Sequence, residues 1–170
     1  IYTDGAYKCK SKRGGIGYLL IDNETGAKKS CSRGYTNTSS DRMELMAVAE
    51  ALKALRGDKP CAVELFTDSG YVADSINQGR LKLWLSDPHF MNRKNEDLWK
   101  LINELMKIHK VTVTWVKSHS TCEGNRMADQ LANNGCADNA PTDDSKNRQT
   151  SPKPLQQSLF QVQPTNQPHY

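Results

Sequence analysis

Apolar residues along this chain recur with two periods. Leu45, Val48, Ala49, Leu52 and Leu55 follow a 3.6-residue repeat. They predict a helix that begins after Ser39–Ser40, runs to about Arg56 and is stopped by Gly57 and Pro60. Tyr71, Val72, Ser75 and Ile76 predict a second helix, capped by Ser69 and running through Asn77. Leu98, Leu101, Ile102, Leu105 and Ile108 mark another, and Asn125–Asn134, ended by Gly135, a last one. Between them lie strand-like runs. Ile1–Thr3 reads as the end of a strand. Gly15–Asp22 and Lys29–Tyr35 read as a hairpin turning at Asp22–Gly26, and Ala62–Phe66 and Val111–Val116 as two further strands. Tyr7–Arg13 is expected to be a basic loop. Gly79–Asn95 carries no clear period. The resulting order, β-β-β-α-β-α-(α)-α-β-α, is an α/β chain with an antiparallel start.

Beyond Gly135 the pattern stops. Residues 136–170 are rich in Pro, Gln, Asn, Ser, Thr and Asp, and so few apolar groups cannot offset the entropy of ordering them. The chain therefore divides into a domain at 1–135 and a tail at 136–170 expected to be disordered. Leu155, Leu159, Phe160 and Val162 leave room for a short docking motif there.

Composition narrows the class. No apolar run could span a membrane, and no signal peptide is visible. Ile1 resembles the interior of a strand, so an abrupt start, from processing or from an incomplete sequence, is expected. The five cysteines, Cys9, Cys31, Cys61, Cys122 and Cys136, are odd in number and form no C-x-x-C pair. That disfavours a disulfide framework or zinc module and favours a reducing, cytoplasmic setting. The net charge of +4 belongs to residues 1–135, because the three acids and three bases of the tail cancel. A mildly basic domain suits a polyanionic partner.

The chemistry is concentrated in acids. Asp4 in I-Y-T-D-G and Asp68 in L-F-T-D-S end predicted strands; Glu44 in D-R-M-E-L-M-A and Asp129 in N-R-M-A-D-Q-L-A lie on predicted helices. Taken singly, each has a structural explanation as a turn residue, a helix cap or a solvated side chain. Together, carboxylates on buried elements call for a neutralising cation, and oxygen-only ligands suit Mg²⁺ or Mn²⁺.

The combination of Y-T-D-G, G-G-I-G-Y, R-M-E-L-M-A, F-T-D-S-x-Y-V, D-L-W, W-V-K-S-H and N-R-M-A-D, in this order, resembles the type 1 ribonucleases H over Ile1–Gly135. That resemblance implies a ribonuclease H-like fold, with a mixed five-stranded sheet in the order 3-2-1-4-5 flanked by helices. It implies a metal-dependent endonuclease that hydrolyses the RNA strand of RNA–DNA hybrids to 5′-phosphate and 3′-hydroxyl ends. Asp4, Glu44, Asp68 and Asp129 would hold two Mg²⁺ ions, with Mn²⁺ as a substitute, and His119 would shuttle a proton or assist product release. Lys8, Lys10, Lys12, Arg13, Ser39, Ser40, Trp84, Trp99 and Asn125 would line the hybrid, with core packing the alternative for Trp84 and Trp99. Asp41 and the segment Tyr7–Arg13 depart from the family pattern, and Gly79–Asn95 replaces a longer, more basic protrusion. A monomer is expected, with no membrane association and an unknown tail partner. Two alternatives stand beside this one: a noncatalytic hybrid-binding module on the same fold, and the ribonuclease H part of a retroelement polyprotein.

Overall fold

The computed structural model describes residues 1–55, 59–89, 94–118, 121–139 and 141–147. Three antiparallel strands open the chain: β1 (Tyr2–Lys8), β2 (Arg13–Ile21) and β3 (Lys28–Thr36). The expected loop at Tyr7–Arg13 is shorter than its polarity suggested. β1 runs on to Lys8, a 3₁₀ turn takes up Cys9–Ser11, and Lys12 reverses the chain with φ 50°. At the second turn Asp22 accepts hydrogen bonds from the Glu24 amide and the Thr25 hydroxyl, and Gly26 supplies the positive φ of 73°.

Helix α1 (Ser40–Lys53) follows, then β4 (Ala62–Thr67), α2 (Gly70–Asn77), α3 (Arg80–Ser86), α4 (Glu96–Ile108), β5 (Lys110–Trp115) and α5 (Glu123–Cys136). The predicted cap of α2 is present: the Ser69 hydroxyl accepts from the Val72 amide at 3.3 Å. Helix α3 lies in the segment that carried no clear period. The sheet order is β5-β4-β1-β2-β3 with a further strand, β6 (Thr142–Asp143), added beyond β3. It is the 3-2-1-4-5 order read in reverse, with one extra edge.

The main core lies between the sheet and α1, α2 and α4, where Leu45, Val48, Leu52, Leu65, Val72, Trp99 and Ile102 are each 1% exposed or less. Full burial of such side chains contributes about 1.5–3 kcal/mol apiece. The other face of the sheet is covered by α5, and glycine makes that contact possible. A Cβ on Gly17 would lie 2.1 Å from the Ala128 carbonyl oxygen and 2.4 Å from the Ala132 amide nitrogen. Helix α5 would have to move away from β2. Gly17→Ala is therefore expected to cost about 2–3 kcal/mol in urea unfolding, and to lower activity as well, because Asp129 adjoins Ala128 on the displaced helix.

The boundary placed after Gly135 is corrected. Helix α5 closes at Cys136, β6 pairs with β3 through Tyr35↔Thr142 and Thr36↔Asp143, and Asp144–Asn147 form one helical turn. Asp144 is fully buried against Arg42. A buried ion pair and strand pairing offset the ordering cost that composition alone could not. Residues 148–170, with Leu155, Leu159, Phe160 and Val162, lie outside the described residues.

Candidate active site

Strand register brings the first two acids together. β1 and β4 run parallel with Thr3 opposite Thr67, so Asp4 and Asp68, the next residue of each, emerge side by side. Asp4 is 7% exposed, and its Oδ1 accepts from the Gly5 amide at 2.8 Å. Asp68 begins the turn into α2, where the Ser69 amide donates to the Thr67 hydroxyl at 3.1 Å.

Glu44 arrives from α1. A Cβ on Gly5 would lie 2.4 Å from the Glu44 amide nitrogen, so the glycine after Asp4 lets α1 cross directly over β1. Oxygens of Asp4, Glu44 and Asp68 lie within 4.8 Å of one another. Asp129 comes from α5 on the opposite face, outside the cluster of three but near enough for its charge to raise the Asp4 carboxyl. Asn133, one turn on, donates to the Asp129 carboxylate at 2.9 Å and fixes its orientation. Asn133 was not singled out in the sequence; an i, i+4 Asp–Asn pair on a predicted helix was the available signal.

The electrostatics are those of a site built for cations. Burial, then repulsion from Asp68 and Asp129, raises the Asp4 carboxyl to about 7. Burial, then repulsion from Asp4 and Asp68, pushes Glu44 well above the usual carboxylate range. The Glu44 Oε2 atom is buried with no hydrogen-bond partner. An orphaned carboxylate oxygen among other carboxylates fits a divalent ion that prefers oxygen ligands.

Trp99 does not line a groove; of its two readings, groove and core, the core is the one found. It is fully buried, donates Nε1–H to the Tyr71 hydroxyl at 3.0 Å and meets the Tyr71 and Trp84 rings edge-on. It shares the inward face of α4 with Leu98, Ile102 and Leu105, and that face closes the core. Trp84 is half-buried against it. Arg13 is half-buried, and its guanidinium donates to the Asp138 carbonyl, tying β2 to the end of α5.

Lys8, Lys10 and Lys12 are exposed around the turn beyond β1. Ser39 precedes α1 as its N-cap without spending its hydroxyl on the helix, and Ser40 is exposed. Asp41, the poor fit to an anionic strand, is paired with Lys94 at 2.9 Å. Asn125 is buried on α5 with its Oδ1 lacking a hydrogen-bond partner. His119 lies outside the described residues.

A mixed sheet that gathers carboxylates at one edge for divalent cations defines a metal-dependent nuclease of the ribonuclease H-like fold. The ribonuclease H family model matches residues 1–137. A ribonuclease H of Chlorobium phaeobacteroides (strain BS1) is 43% identical over 144 residues, covering 82% of this chain and 95% of the relative. A ribonuclease HI of Pseudomonas aeruginosa is 40% identical over 148 residues, covering 81% and 93%. Among solved structures, a type 1 RNase H with the type 2 active-site motif has the same fold, with a TM-score of 0.68 over 80% of this chain and 70% of that one, at 24% identity. The protease-reverse transcriptase of prototype foamy virus gives 0.66 at 31% identity, over 79% of this chain and 20% of that one. The chain belongs to the ribonuclease H family, type 1. It is a metal-dependent endonuclease acting on RNA–DNA hybrids. Among the described residues, no helix is long and apolar enough to cross a membrane.

Proposed function

We propose that the chain cleaves hybrid RNA by hydrolysis, leaving 5′-phosphate and 3′-hydroxyl ends, with its four acids holding two Mg²⁺ ions for which Mn²⁺ can substitute. The observation that carries this reading is the convergence of Asp4, Glu44 and Asp68 within 4.8 Å, with Asp129 against Asp4. When bound, two divalent ions activate water, neutralise phosphate charge and stabilise the leaving oxygen. Asp4 is in reach of both Asp68 and Asp129, which supports it as the shared ligand. Asp129 would help hold one ion, and Glu44 and Asp68 would help hold the other. His119 shuttles a proton or assists product release without ligating metal.

RNA differs from DNA at the 2′-hydroxyl, and Glu44 with the adjoining backbone reads it. Ser39 and Ser40 hold phosphates of the DNA strand, and Lys8, Lys10 and Lys12 add charge beyond β1. Asn125 supports α5 beside Asp129. The odd cysteine count supports a reducing, cytoplasmic setting, and we take the protein to act as a monomer.

The test offers labelled RNA in a hybrid, alone, and in an RNA duplex, with Mg²⁺ and then with chelator. Only hybrid RNA should be cut, and only with metal. Tight hybrid binding without cutting in either Mg²⁺ or Mn²⁺ would make the chain a binding module and overturn the catalytic reading.

A further inference from the structure

The W-V-K-S-H motif opens with a residue to which the site gives no role. Trp115 closes β5 directly beside Thr67, the residue before Asp68, through the parallel pairing Thr67↔Trp115. It shares a sheet face with Val111 and Val113, yet the core ends before it, and it is 53% exposed. Single exposed apolar residues are ordinary. Leu83 and Met127 are exposed in the same way. Trp115 is different because its ring is held in place. The indole N–H donates to the backbone carbonyl of Asp68 at 3.1 Å. A large flat face is thereby presented to solvent, fixed to the backbone of a proposed metal ligand.

Its position along the sheet edge says what it meets. β1, β3, β4 and β5 all end on one side of the sheet, so the order β5-β4-β1-β2-β3 is also the order along that edge. Asp68 and Asp4 occupy the middle. Ser39 and the Lys8–Arg13 turn lie toward β3, and Trp115 lies one strand spacing beyond Asp68 on the other flank. A phosphodiester seated on the acids has a nucleotide on either side, and the one on the β5 flank passes the indole. Two positions on, Lys117 is exposed and supplies charge for a phosphate.

We propose that Trp115 is a substrate-contacting residue, packing its indole against the sugar edge of the RNA strand next to the scissile phosphate. Bases inside a hybrid are already stacked, so the available surface is the wide minor groove with its riboses and 2′-hydroxyls. The bond to the Asp68 carbonyl keeps the ring oriented before substrate arrives, so little rotamer entropy is lost on binding. This proposal rests on the ribonuclease H reading above.

The full chain is assayed on a labelled hybrid in Mg²⁺. Trp115→Ala is expected to raise KM about tenfold, in the range of nucleic-acid contacts by single aromatics, with kcat within about twofold. Trp115→Phe keeps a ring but loses the anchoring N–H, and should fall between. The second readout is fluorescence, in an Asp4→Asn background that leaves the hybrid uncut. Adding hybrid should quench the exposed indole, and in a Trp84→Phe background Trp115→Phe should remove most of that quench, since the remaining Trp99 is buried. An unchanged KM, a loss confined to kcat, or a full quench in Trp115→Phe would each overturn the proposal. Failure of the unaltered chain to cut hybrid would instead overturn the ribonuclease reading.

Discussion

Asp4→Asn is expected to lower cleavage of hybrid RNA at least about a thousandfold, the scale of the several kcal/mol of charge stabilisation that bound metal supplies. The same substitution should make the metal-free protein more stable near neutral pH. Burial and the Asp68 and Asp129 charges raise the Asp4 carboxyl to about 7. Below a pH of about 4 this group is protonated in both the folded and unfolded chain and contributes nothing. As pH rises, the unfolded chain ionises first while the folded chain keeps its proton. Stability therefore falls between about pH 4 and 7 and stays low above that.

The loss is of the order of 2–4 kcal/mol, shared with Glu44, whose carboxyl is raised for the same reasons. An amide at position 4 carries no charge to desolvate. In chelator at about pH 8, Asp4→Asn should melt roughly 5–10 °C above the unaltered chain, with the difference vanishing by about pH 4. Adding Mg²⁺ should stabilise the unaltered chain more than the variant, because only the former has its full ligand set. Thermal melts with and without metal, over that pH range, test all three points. A variant that is inactive but also less stable in chelator would show that Asp4 holds the fold rather than the ion.

The acids were legible in the sequence because each stands at a fixed offset within a readable element. Asp4 and Asp68 follow apolar runs, and Glu44 and Asp129 sit on helices whose inward faces repeat clearly. Strand order followed from the resemblance, but the fine register that sets Asp4 beside Asp68 arises only in the packed sheet. Trp99 stayed undecided between groove and core because an aromatic residue beside polar neighbours reads the same whether it packs inward or faces a groove. Its burial depends on Tyr71 and Trp84, which come from other helices. Helix α3 entered the predicted order only in brackets and without bounds, because seven residues give barely two turns of periodicity, and they include exposed Leu83. Asn133 was visible only as the i, i+4 partner of Asp129, and Trp115 only as the opening of W-V-K-S-H; their bonds to Asp129 and Asp68 follow from packing. β6 was least legible. It is two residues long, pairs with a largely exposed strand, and sits in a segment whose composition reads as tail.

That segment is expected to be essential to stability, through Arg42. The guanidinium is 2% exposed, with Nη1 and Nη2 on the two Asp97 oxygens at 2.8 and 2.6 Å and Nε on Asp144 at 2.5 Å. One cation thus joins α1, α4 and the chain after α5. Burial works against its charge, and the two carboxylates overcome that, so its pKa is raised. Burial likewise opposes ionisation of Asp97, but Arg42 outweighs it and holds that carboxyl below its usual value. Arg42→Met removes the Arg42 guanidinium from the fully buried Asp144 and should cost about 3–5 kcal/mol. Arg42→Met combined with Asp144→Leu should recover much of that, because the buried pair stabilises less than its separation costs. Arg42 lies between Ser39–Ser40 and Glu44 on α1, so the single variant should also weaken hybrid binding more than the double one. The contribution through Asp97 is present above the ordinary carboxylate pKa of about 3.9 and lost as pH falls through the lower folded value. Acid should therefore narrow the gap between Arg42→Met and the unaltered chain. Urea unfolding of the two single variants and the double variant measures the coupling. Near-additive losses would mean that residues 141–147 rest on the domain without holding it.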